Sequence, residues 1–512
     1  MNEMSLREHI LTNATPAAQQ PWPRLIVAED VWRWCARELG TGAATLLGYW
    51  SDGEAVHMAI LEPEARSGKP AEPFVISLTC ADGRFPSVAS VHPPALRLER
   101  TIRDLFGLTP VGLPDRRPWL DHGRWGVQHP LGAAQSALPQ DQNYPFLPAE
   151  GPPMHQVPVG PVHAGIIEPG HFRFTANGET VVRLEERLGY THKGTLSLMI
   201  GAPIAHAARL AGRASGDSSV AYALAFAHAV ESAVGLKVPA RAVWLRVVMA
   251  ELERIANHLG DVGAICNDAA FPLMLAHCGA LREQVLRTSE ACFGHRLMMD
   301  RIVPGGVACD LDASGAEAIR AVIAQIRRQF PELVELYENT TSLQDRTVST
   351  GILNPGLAHQ YGTGGYVGRA SGRSFDARRL PGYPPYPDLS FEVPVRTTGD
   401  VDARVRIRID EIYQSLSILE QVLDQLPSGA LLTRIDAANA ASREGIALVE
   451  GFRGDILVWV RLAEGGRIAH CTMRDPSWFQ WPLLEAAIEG NIIADFPLIN
   501  KSFNCSYSGH DL

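Results

Sequence analysis

Two short segments carry hydroxyl and carboxylate side chains at a spacing that could do chemistry. Residues 213–218 read R-A-S-G-D-S, and residues 504–512 read N-C-S-Y-S-G-H-D-L. A serine hydroxyl stays protonated and is a hard ligand, so these serines are poor ligands for soft metal ions, which prefer thiolates. Asp217 is the one carboxylate in the first segment, and it could carry protons or be neutralised by Arg213.

The eight cysteines do not form a metal-binding motif in the sequence. No two of them have C-x-x-C spacing, and nothing suggests a site assembled from distant cysteines. We therefore predict free, mostly buried thiols in a reducing compartment and no metal ligand in this chain. The cysteines are Cys35, Cys80, Cys266, Cys278, Cys292, Cys309, Cys471 and Cys505.

The bulk composition is that of an ordinary globular protein. A chain of 512 residues, 46% apolar and 20% charged, has room for two or three domains. The formal net charge of −10, without a long run of lysine or arginine, argues against nucleic acid as a partner. No stretch reaches the roughly 18 to 20 apolar residues of a membrane-spanning helix. The first residues lack the apolar core of a signal peptide, so we expect a cytoplasmic location.

Short apolar runs bounded by glycine and proline predict a small α/β domain at the N-terminus. Residues 44–50 and 74–78 have the length of strands, and residues 95–106 carry apolar side chains at helical spacing. We place this first domain at residues 1–135. Residues 136–159 are rich in alanine, glutamine and proline with little periodicity, which predicts a linker.

The remainder of the chain, residues 160–512, predicts a mainly helical domain with a small β-sheet. Residues 171–190 alternate in polarity around an Asn-Gly pair, which predicts a hairpin. Apolar stripes at residues 243–263 and 405–426 predict two long helices, and residues 450–460 begin with a tight turn and run into a strand. The predicted fold class is therefore α+β, a small α/β domain followed by a larger, mainly helical one.

The N-terminal motifs occur in the order of a known family. Residues 99–107 read E-R-T-I-R-D-L-F-G, residues 114–117 read P-D-R-R, and residues 128–131 read Q-H-P-L. Over about residues 25–135, this order resembles the 30-kDa-type subunit of respiratory complex I. The resemblance implies a structural domain that packs against its neighbours without chemistry of its own.

An ordered set of motifs also extends over the rest of the chain. In chain order these motifs are G-P-V-H at 160–163, E-P-G-H-F-R at 168–173, G-Y-T-H-K-G at 189–194, V-E-S-A-V-G at 230–235, E-L-E-R-I-A-N-H-L at 251–259, P-G-G-V at 304–307, D-R-T at 345–347, G-R-A-S-G at 368–372, F-R-G-D at 452–455, R-D-P-S at 474–477 and D-F-P-L-I at 495–499. The set resembles the large subunit shared by group 4 membrane-bound nickel–iron (NiFe) hydrogenases, including formate hydrogenlyase, and the 49-kDa-type subunit of complex I. The resemblance implies a hydrogenase-large-subunit-like domain at residues 160–512.

The positions that carry the metal chemistry of that family differ in this chain. In metal-bearing members four thiolates hold the nickel, and two of them bridge to iron. A glutamate that relays protons beside the nickel falls on Leu196, and a histidine falls on Tyr222. The resemblance therefore implies that this chain holds no NiFe centre, because hydroxyls cannot replace thiolates. The four ligand positions fall on Ser215, Ser218, Ser506 and Gly509.

The complex I branch of the family builds a quinone pocket, and the resemblance transfers only part of it. The tyrosine position of that pocket falls on Gly216, and the histidine position falls in residues 168–170. His163, His171 or Tyr222 could substitute for them. A quinone or another small acceptor could then occupy the cavity left by the missing metal centre.

The candidate site is this former metal cavity. We name Asp217, Arg453 and Asp455 as candidate catalytic residues. The alternative for Arg453, Asp455 and Arg369 is an internal ion-pair network that holds loops in place. The candidates for binding a cofactor or acceptor in the cavity are Ser215, Ser218, Tyr222, Arg369 and Ser506.

The resemblance also implies partners and three hypotheses for function. It implies docking onto a small 4Fe-4S subunit and a membrane heel subunit, with antiporter-like subunits, in a hetero-oligomeric complex on the inner face of the cell membrane. The first hypothesis is a metal-free subunit of this oxidoreductase complex that couples redox events to ion transport. The second is a catalytically silent scaffold. The third, an active NiFe-hydrogenase, requires stoichiometric nickel without thiolate ligands.

Overall fold

The N-terminal part of the chain forms a five-stranded mixed sheet. The computed structural model describes residues 6–63, 71–133, 144–164, 166–436 and 442–512. The strands are β1 (Ala14–Ala17), β2 (Arg24–Val27), β3 (Thr45–Ser51), β4 (Ala55–Leu61) and β5 (Pro73–Thr79). Their order is β1-β2-β5-β4-β3, in which β2 and β5 are parallel and the other neighbours are antiparallel. The strands predicted at residues 44–50 and 74–78 are confirmed as β3 and β5.

Helices cover one face of this sheet. The elements around it are α1 (Leu6–Thr12), α2 (Glu29–Gly40), β6 (Arg84–Pro86), α3 (Leu96–Phe106) and β7 (Thr109–Val111). Trp32 of α2 and Ile102 of α3 pack with Ile76 of β5 in one buried core. The predicted helix at residues 95–106 is confirmed as α3.

A three-stranded antiparallel sheet begins the second part of the chain. Its strands are β8 (Met154–Val159), β9 (His171–Asn177) and β10 (Thr180–Arg187), in the order β10-β9-β8. β9 and β10 are joined by a tight turn, so the predicted hairpin is confirmed. β8 lies within residues 136–159, where we predicted a linker. It is an edge strand with polar side chains and Pro158, and such a strand leaves little apolar alternation in the sequence.

Long helices form most of the second part. The two stripes predicted as helices are confirmed, and they lie in α7 and α13 of the following series. The elements are α4 (Thr195–Met199), α5 (Ile204–Ala211), α6 (Ser219–Val234), α7 (Ala240–Asp268), α8 (Pro272–Phe293), β11 (Ile302–Val303), β12 (Gly306–Val307), α9 (Ala313–Asn339), α10 (Thr341–Thr347), α11 (Pro355–Gln360), α12 (Gly365–Ala370) and α13 (Val401–Gln425).

The last sheet of the chain is packed between a helix and the N-terminal sheet. Its strands are β13 (Glu444–Gly451), β14 (Gly454–Ala463) and β15 (Arg467–Arg474), all antiparallel, and α14 (Ser477–Ala487), α15 (Phe496–Phe503) and α16 (Tyr507–Asp511) follow. Leu457 and Trp459 of β14 face the N-terminal sheet, where they meet Leu47 and Trp50. The opposite face of β13 lies on α6, so closely that a Cβ atom on Gly445 would be 1.9 Å from the Ala229 carbonyl oxygen.

Hydrogen bonds and ion pairs join the N-terminal sheet to the last sheet. Gln20 forms a parallel bridge with Gly445, and Arg24 pairs with Glu444 at 3.0 Å. Arg474 Nε donates to the Leu47 carbonyl oxygen at 2.8 Å. The regions predicted as a structural domain and a hydrogenase-like domain are therefore held together by buried polar contacts as well as by apolar packing.

The architecture is α+β, as the sequence predicts. The eight cysteines are free and six of them are buried, which confirms the prediction for the thiols. Within the described residues, no helix combines the length and apolar character needed to cross a membrane.

Candidate functional site

Arg453 lies at the tip of a hairpin that projects into the candidate site. Gly451 of β13 pairs with Gly454 of β14, so Phe452 and Arg453 form a two-residue turn. Gly365 at the start of α12 packs directly against this turn. A Cβ atom at Gly365 would lie 1.8 Å from the Arg453 carbonyl oxygen, so only glycine allows this close packing. The tight turn that the sequence predicts therefore presents a guanidinium group to the cavity.

The loop that carries Ser215 and Asp217 is positioned by α7. Glu253 accepts hydrogen bonds from the backbone N–H groups of Val220 and Ala221, at 2.7 and 3.1 Å, at the start of α6. Asn257, one turn further along α7, donates to the Asp217 carbonyl oxygen at 2.7 Å. The E-L-E-R-I-A-N-H-L motif thus holds the loop in place.

Asp217 and Arg453 form a bidentate ion pair at the centre of the site. Arg453 Nη1 and Nη2 donate to the two carboxylate oxygens of Asp217 at 2.7 and 2.5 Å. Arg453 is buried, whereas 35% of the Asp217 side chain is exposed. Burial opposes ionisation, but the attraction of Arg453 outweighs it and holds the pKa of Asp217 below its ordinary value. Asp217 is therefore an anion near neutral pH.

The serine hydroxyls extend this ion pair into a hydrogen-bond network. Ser215 Oγ donates to Asp217 Oδ1 at 2.9 Å and lies 2.9 Å from Ser506 Oγ. Ser218 Oγ donates to the same Asp217 oxygen at 3.2 Å. Ser506 Oγ also accepts from the Gly509 N–H at 2.9 Å, which caps α16. The four residues at the positions of the family's thiolate ligands, Ser215, Ser218, Ser506 and Gly509, thus lie close together.

A cavity of about 270 Å³ opens beside these residues. Of the predicted site residues, Ser215, Asp217, Arg453 and Ser506 line it. The other main lining residues were not among the predicted site residues. Glu168 lies in a recognised motif, and four others lie in the segment 504–512 that the sequence singles out, so these could have been found. Nothing in the sequence around Lys501 pointed to it. The missed residues are Ile166, Ile167, Glu168, Asn500, Lys501, Asn504, Cys505, Tyr507 and Ser508.

Tyr222 and Asp455 lie outside this cavity. The Tyr222 hydroxyl is buried and donates to Asp475 at 2.6 Å, which raises the pKa of Tyr222 beyond the effect of burial. Asp455 forms a buried ion pair with Arg474. Ser218 donates a hydrogen bond to Asp217 but does not itself line the cavity. The expectation that Tyr222 and Asp455 line the cavity is therefore corrected.

Arg369 belongs to a separate buried ion-pair network. It lies 2.5 Å from Glu411, 2.9 Å from Glu450 and 3.6 Å from Asp376, and all four side chains are buried. The expectation that Arg369 lines the former metal cavity is wrong, because its guanidinium is held within this buried network and Arg369 is not among the residues that line the cavity. The contacts are those of an internal network that joins α12, α13 and β13.

Arg213 does not neutralise Asp217. It pairs instead with Asp300, at 2.7 Å, on the exposed surface. The two histidines proposed as substitutes for a quinone ligand also have structural contacts. A ring nitrogen of His163 lies 2.8 Å from the Gly170 carbonyl oxygen, and one of His171 lies 3.2 Å from that of Gly160.

The donor set of the cavity does not fit a NiFe centre. Cys505 is the one thiol at the cavity, and burial raises its pKa well above the ordinary value, so it stays protonated. Three of the four positions that match the thiolate ligands present hydroxyl groups, those of Ser215, Ser218 and Ser506, which are already hydrogen-bonded to Asp217 or to one another, and the fourth is Gly509, which has no side chain to act as a ligand. Within the described ranges, no three His, Cys, Asp or Glu side chains converge in a way that could hold a metal ion.

Glu253 gives the site a testable dependence on pH. Burial, together with the nearby Asp217 anion, raises the pKa of Glu253 to about 8. A carboxyl group with a higher pKa in the folded chain than its ordinary value near 4.3 stabilises the fold below that value. This contribution is lost as the pH rises towards 8, at up to about 1.4 kcal/mol per pH unit. We expect Glu253→Gln to flatten the fall in the free energy of unfolding between pH 5.5 and 7.5.

Urea unfolding at several pH values measures this effect. Glu332→Gln, on the exposed surface of α9, is the matched control and should keep the slope of the unaltered chain. Equal slopes for Glu253→Gln and the unaltered chain would show that Glu253 does not hold a proton in the folded state.

The fold and the site define a hydrogenase-type large subunit joined to a complex I-type N-terminal domain. The chain matches the family description of the 49 Kd subunit of respiratory-chain NADH dehydrogenase over residues 270–444, and that of the 30 Kd subunit over residues 63–137. It belongs to the family of group 4 hydrogenase and complex I large subunits, as the following relatives establish.

The relatives come from both branches of the family. Formate hydrogenlyase subunit 5 of Escherichia coli (strain K12) is 31% identical over 83% of this chain and 77% of the relative. Hydrogenase-4 component G of the same organism is 31% identical over 85% of this chain and 78% of the relative. An NADH-quinone oxidoreductase subunit of Roseiflexus sp. (strain RS-1) is 31% identical over 68% of this chain and 96% of the relative.

Proposed function

We propose that this chain is a metal-free large subunit of a membrane-associated, complex I-related oxidoreductase complex. In this role it couples redox events in a partner subunit to ion transport. The observation that supports the proposal is the Asp217–Arg453 ion pair, because a guanidinium and a carboxylate lie beside the positions that match the metal ligands of the metal-bearing members of the family. The relatives named as hydrogenase and NADH-quinone oxidoreductase subunits support the class of complex.

The proposed partners are a small 4Fe-4S subunit, a membrane heel subunit and antiporter-like subunits. Apolar side chains exposed in the segment between β8 and β9, part of which lines the cavity, support a covering partner. Val162 is 85% exposed and Ile166 is fully exposed, both in the segment between β8 and β9. Ile166 also lines the cavity itself, so a partner bound there would close it. Such an assembly would lie on the inner face of the cell membrane.

A quinone-like acceptor is the proposed occupant of the cavity. Arg453 and Lys501 provide positive charge, and Lys501 can donate hydrogen bonds to an acceptor in the cavity. Ile166 and Ile167 provide apolar surface at the opening. Asp217 is the proposed proton carrier, because a quinone takes up protons on reduction and Asp217 is a partly exposed carboxylate hydrogen-bonded to the serines at the centre of the site.

Metal analysis of the intact native complex tests the proposal. We expect iron from the partner clusters, less than about 0.1 nickel per copy of this chain, and no hydrogen uptake, since the donor set lacks thiolates. Nickel near one per chain, together with hydrogen uptake, would overturn the proposal and indicate an active hydrogenase with unusual ligands.

A catalytically silent scaffold is the second candidate function. The observation that favours it is that Asp217, Arg453 and the serines satisfy one another without a ligand. Asp217→Asn and Ser215→Ala distinguish the two candidates when turnover is measured in the assembled complex. A loss of turnover of at least tenfold with intact assembly supports the coupling role, and unchanged turnover supports the scaffold. Arg213→Ala, at the exposed pair with Asp300, is the matched control.

A further inference from the structure

An apolar cavity lies between the two parts of the chain and shares no lining residue with the Asp217 cavity. Its volume is about 230 Å³. Leu98, Ile102 and Leu105 of α3 form one wall, and Leu196 of α4 and Trp478 of α14 form the other. An engineered cavity of about 150 Å³ in another protein stays dry and binds benzene, so this inner cavity is large enough for an apolar group.

Several polar side chains around this inner cavity are hydrogen-bonded within the protein, whereas the Tyr49 hydroxyl and the Trp50 indole N–H are buried without a hydrogen-bond partner among the described residues. Thr101 Oγ1 donates to the Arg97 carbonyl oxygen at 2.9 Å, and Ser51 Oγ donates to that of Ala55 at 2.7 Å. Arg474 donates to the Leu47 carbonyl oxygen. The inner cavity therefore offers mainly apolar surface, and the group that fits it is a hydrocarbon chain or ring.

A wide cleft next to the inner cavity has the opposite character. Its volume is about 1100 Å³, and five arginine side chains line it against two carboxylates. Both carboxylates bind backbone N–H groups, Asp104 that of Trp119 and Asp121 that of Gly123, each at 2.6 Å. One of the five arginines, Arg117, is already paired with Asp115 and Glu185, so the other four provide the excess positive charge. The arginines are Arg103, Arg116, Arg117, Arg124 and Arg187.

One of these arginines is buried without a direct ion pair, and Asp104 of the same cleft is a nearby carboxylate that interacts with it electrostatically. Arg187 donates to the backbone carbonyl oxygens of Pro118, Trp119 and Asp121, and no carboxylate in the described part of the chain pairs with it. Burial lowers its pKa to about 10, which still leaves it a cation at neutral pH. In a chain with a net charge of −10, this concentration of positive charge marks the cleft as an anion site.

The cleft and the inner cavity meet at one pair of rings. Trp125 and His192 line both of them, and their ring centroids are 4.6 Å apart. A ligand that passes these rings would have one end among arginines and the other among apolar side chains. Such a ligand could bind in one orientation only, because the arginine cleft favours its charged end and the inner cavity favours its apolar end.

We propose that this composite site binds an amphiphilic anion, with its carboxylate or phosphate in the arginine cleft and its hydrocarbon part in the inner cavity. The source is a free fatty carboxylate or the head group and chain of an anionic membrane lipid. The site is separate from the Asp217 cavity and does not depend on the function proposed for it.

Titration calorimetry of the full chain with hexanoate, octanoate and decanoate tests the site. We expect saturable binding that strengthens about fourfold per added methylene until the inner cavity is full, as burial of a methylene predicts. The uncharged octanol should bind at least tenfold more weakly than octanoate. Equal affinity for octanol and octanoate would overturn the proposal.

Variants in each half of the site have matched controls. Leu196→Trp fills the inner cavity and should weaken decanoate binding at least tenfold. Leu198→Trp on the same helix, with a side chain that is 58% exposed, should leave it unchanged. Replacing both Arg103 and Arg116 with alanine should weaken it about tenfold, whereas the exposed Arg84→Ala, outside the cleft, should not.

Co-sedimentation with vesicles distinguishes the two sources of the ligand. Binding to phosphatidylglycerol vesicles, but not to phosphatidylcholine vesicles, that Leu196→Trp abolishes would assign the site to a membrane lipid. Decanoate binding without vesicle binding would assign it to a free fatty carboxylate. The proposal is wrong if neither ligand binds, or if Leu196→Trp binds as the unaltered chain does.

Discussion

Replacing Arg369 with methionine is expected to lower the free energy of unfolding by about 3 to 5 kcal/mol. The Arg369 side chain is completely buried, and it balances the negative charges of Glu411, Glu450 and Asp376. Without it these carboxylates lie close together with less compensating charge, which is far more costly than losing an exposed ion pair. A fold that depends on this network should lose most of its stability.

Chemical unfolding of the full chain measures the effect. Arg327→Met is the matched control, because Arg327 also pairs with a glutamate, Glu420, but both side chains are 40% exposed. We expect that control to change stability by about 0 to 1 kcal/mol. Adding Glu411→Gln to Arg369→Met should recover part of the loss. If Arg369→Met costs no more than Arg327→Met, the network does not stabilise the fold.

Gly365→Ala is expected to destabilise the chain by about 3 kcal/mol and to displace Arg453. Gly365 has a left-handed backbone with φ of 62°, which costs an alanine about 1 kcal/mol. The added methyl group would also lie 1.8 Å from the Arg453 carbonyl oxygen and 2.8 Å from the Gly454 nitrogen. Crowding of this kind costs about 1 to 3 kcal/mol and pushes the hairpin turn away from Asp217.

Gly235→Ala separates the cost of the left-handed backbone from the cost of crowding Arg453. Gly235 ends α6 with φ of 66°, and no atom lies within 4 Å of an added Cβ there. It should therefore cost only the backbone contribution, about 1 kcal/mol. Unfolding measurements on both variants, with turnover of the assembled complex as the second readout, give the comparison. Equal losses of stability and activity would show that contact with Arg453 is unimportant.

The large elements of the fold could be predicted from local sequence patterns. The stripe from Leu245 to Val262 repeats at helical spacing because one face of α7 is buried, and that regularity is visible without a structure. β8 could not be predicted, because an edge strand with one exposed face and Pro158 carries too little pattern. The packing of β14 on the N-terminal sheet was also hidden, since periodicity predicts that a face is buried but not its partner.

The sequence predicted several residues of the candidate site correctly, but it did not predict which of them form ion pairs with one another. Motif order correctly brought Ser215, Asp217 and Ser506 to one place. The sequence suggested Arg213, four residues from Asp217, as its counter-ion. The counter-ion in the structure is Arg453, which lies 236 residues further along the chain. Charge pairing in a folded interior depends on which loops meet, and spacing along the chain does not determine that. The same reason explains why Arg369 was assigned to the cavity.

The join between the first and last sheets sets the time course of folding during synthesis. The contact of Gln20 with Gly445 cannot form until Gly445 has been synthesised. The hydrogen bond from Arg474 to Leu47 likewise cannot form until the ribosome has added a further 427 residues after Leu47. At about 5 to 20 residues per second, the ribosome needs roughly 20 to 80 s to make that stretch. Throughout this interval the face of the first sheet with Leu47 and Trp50 has no partner. We therefore expect the nascent chain to expose this apolar face until its C-terminal part is made, and its folding rate to be limited by long-range contacts.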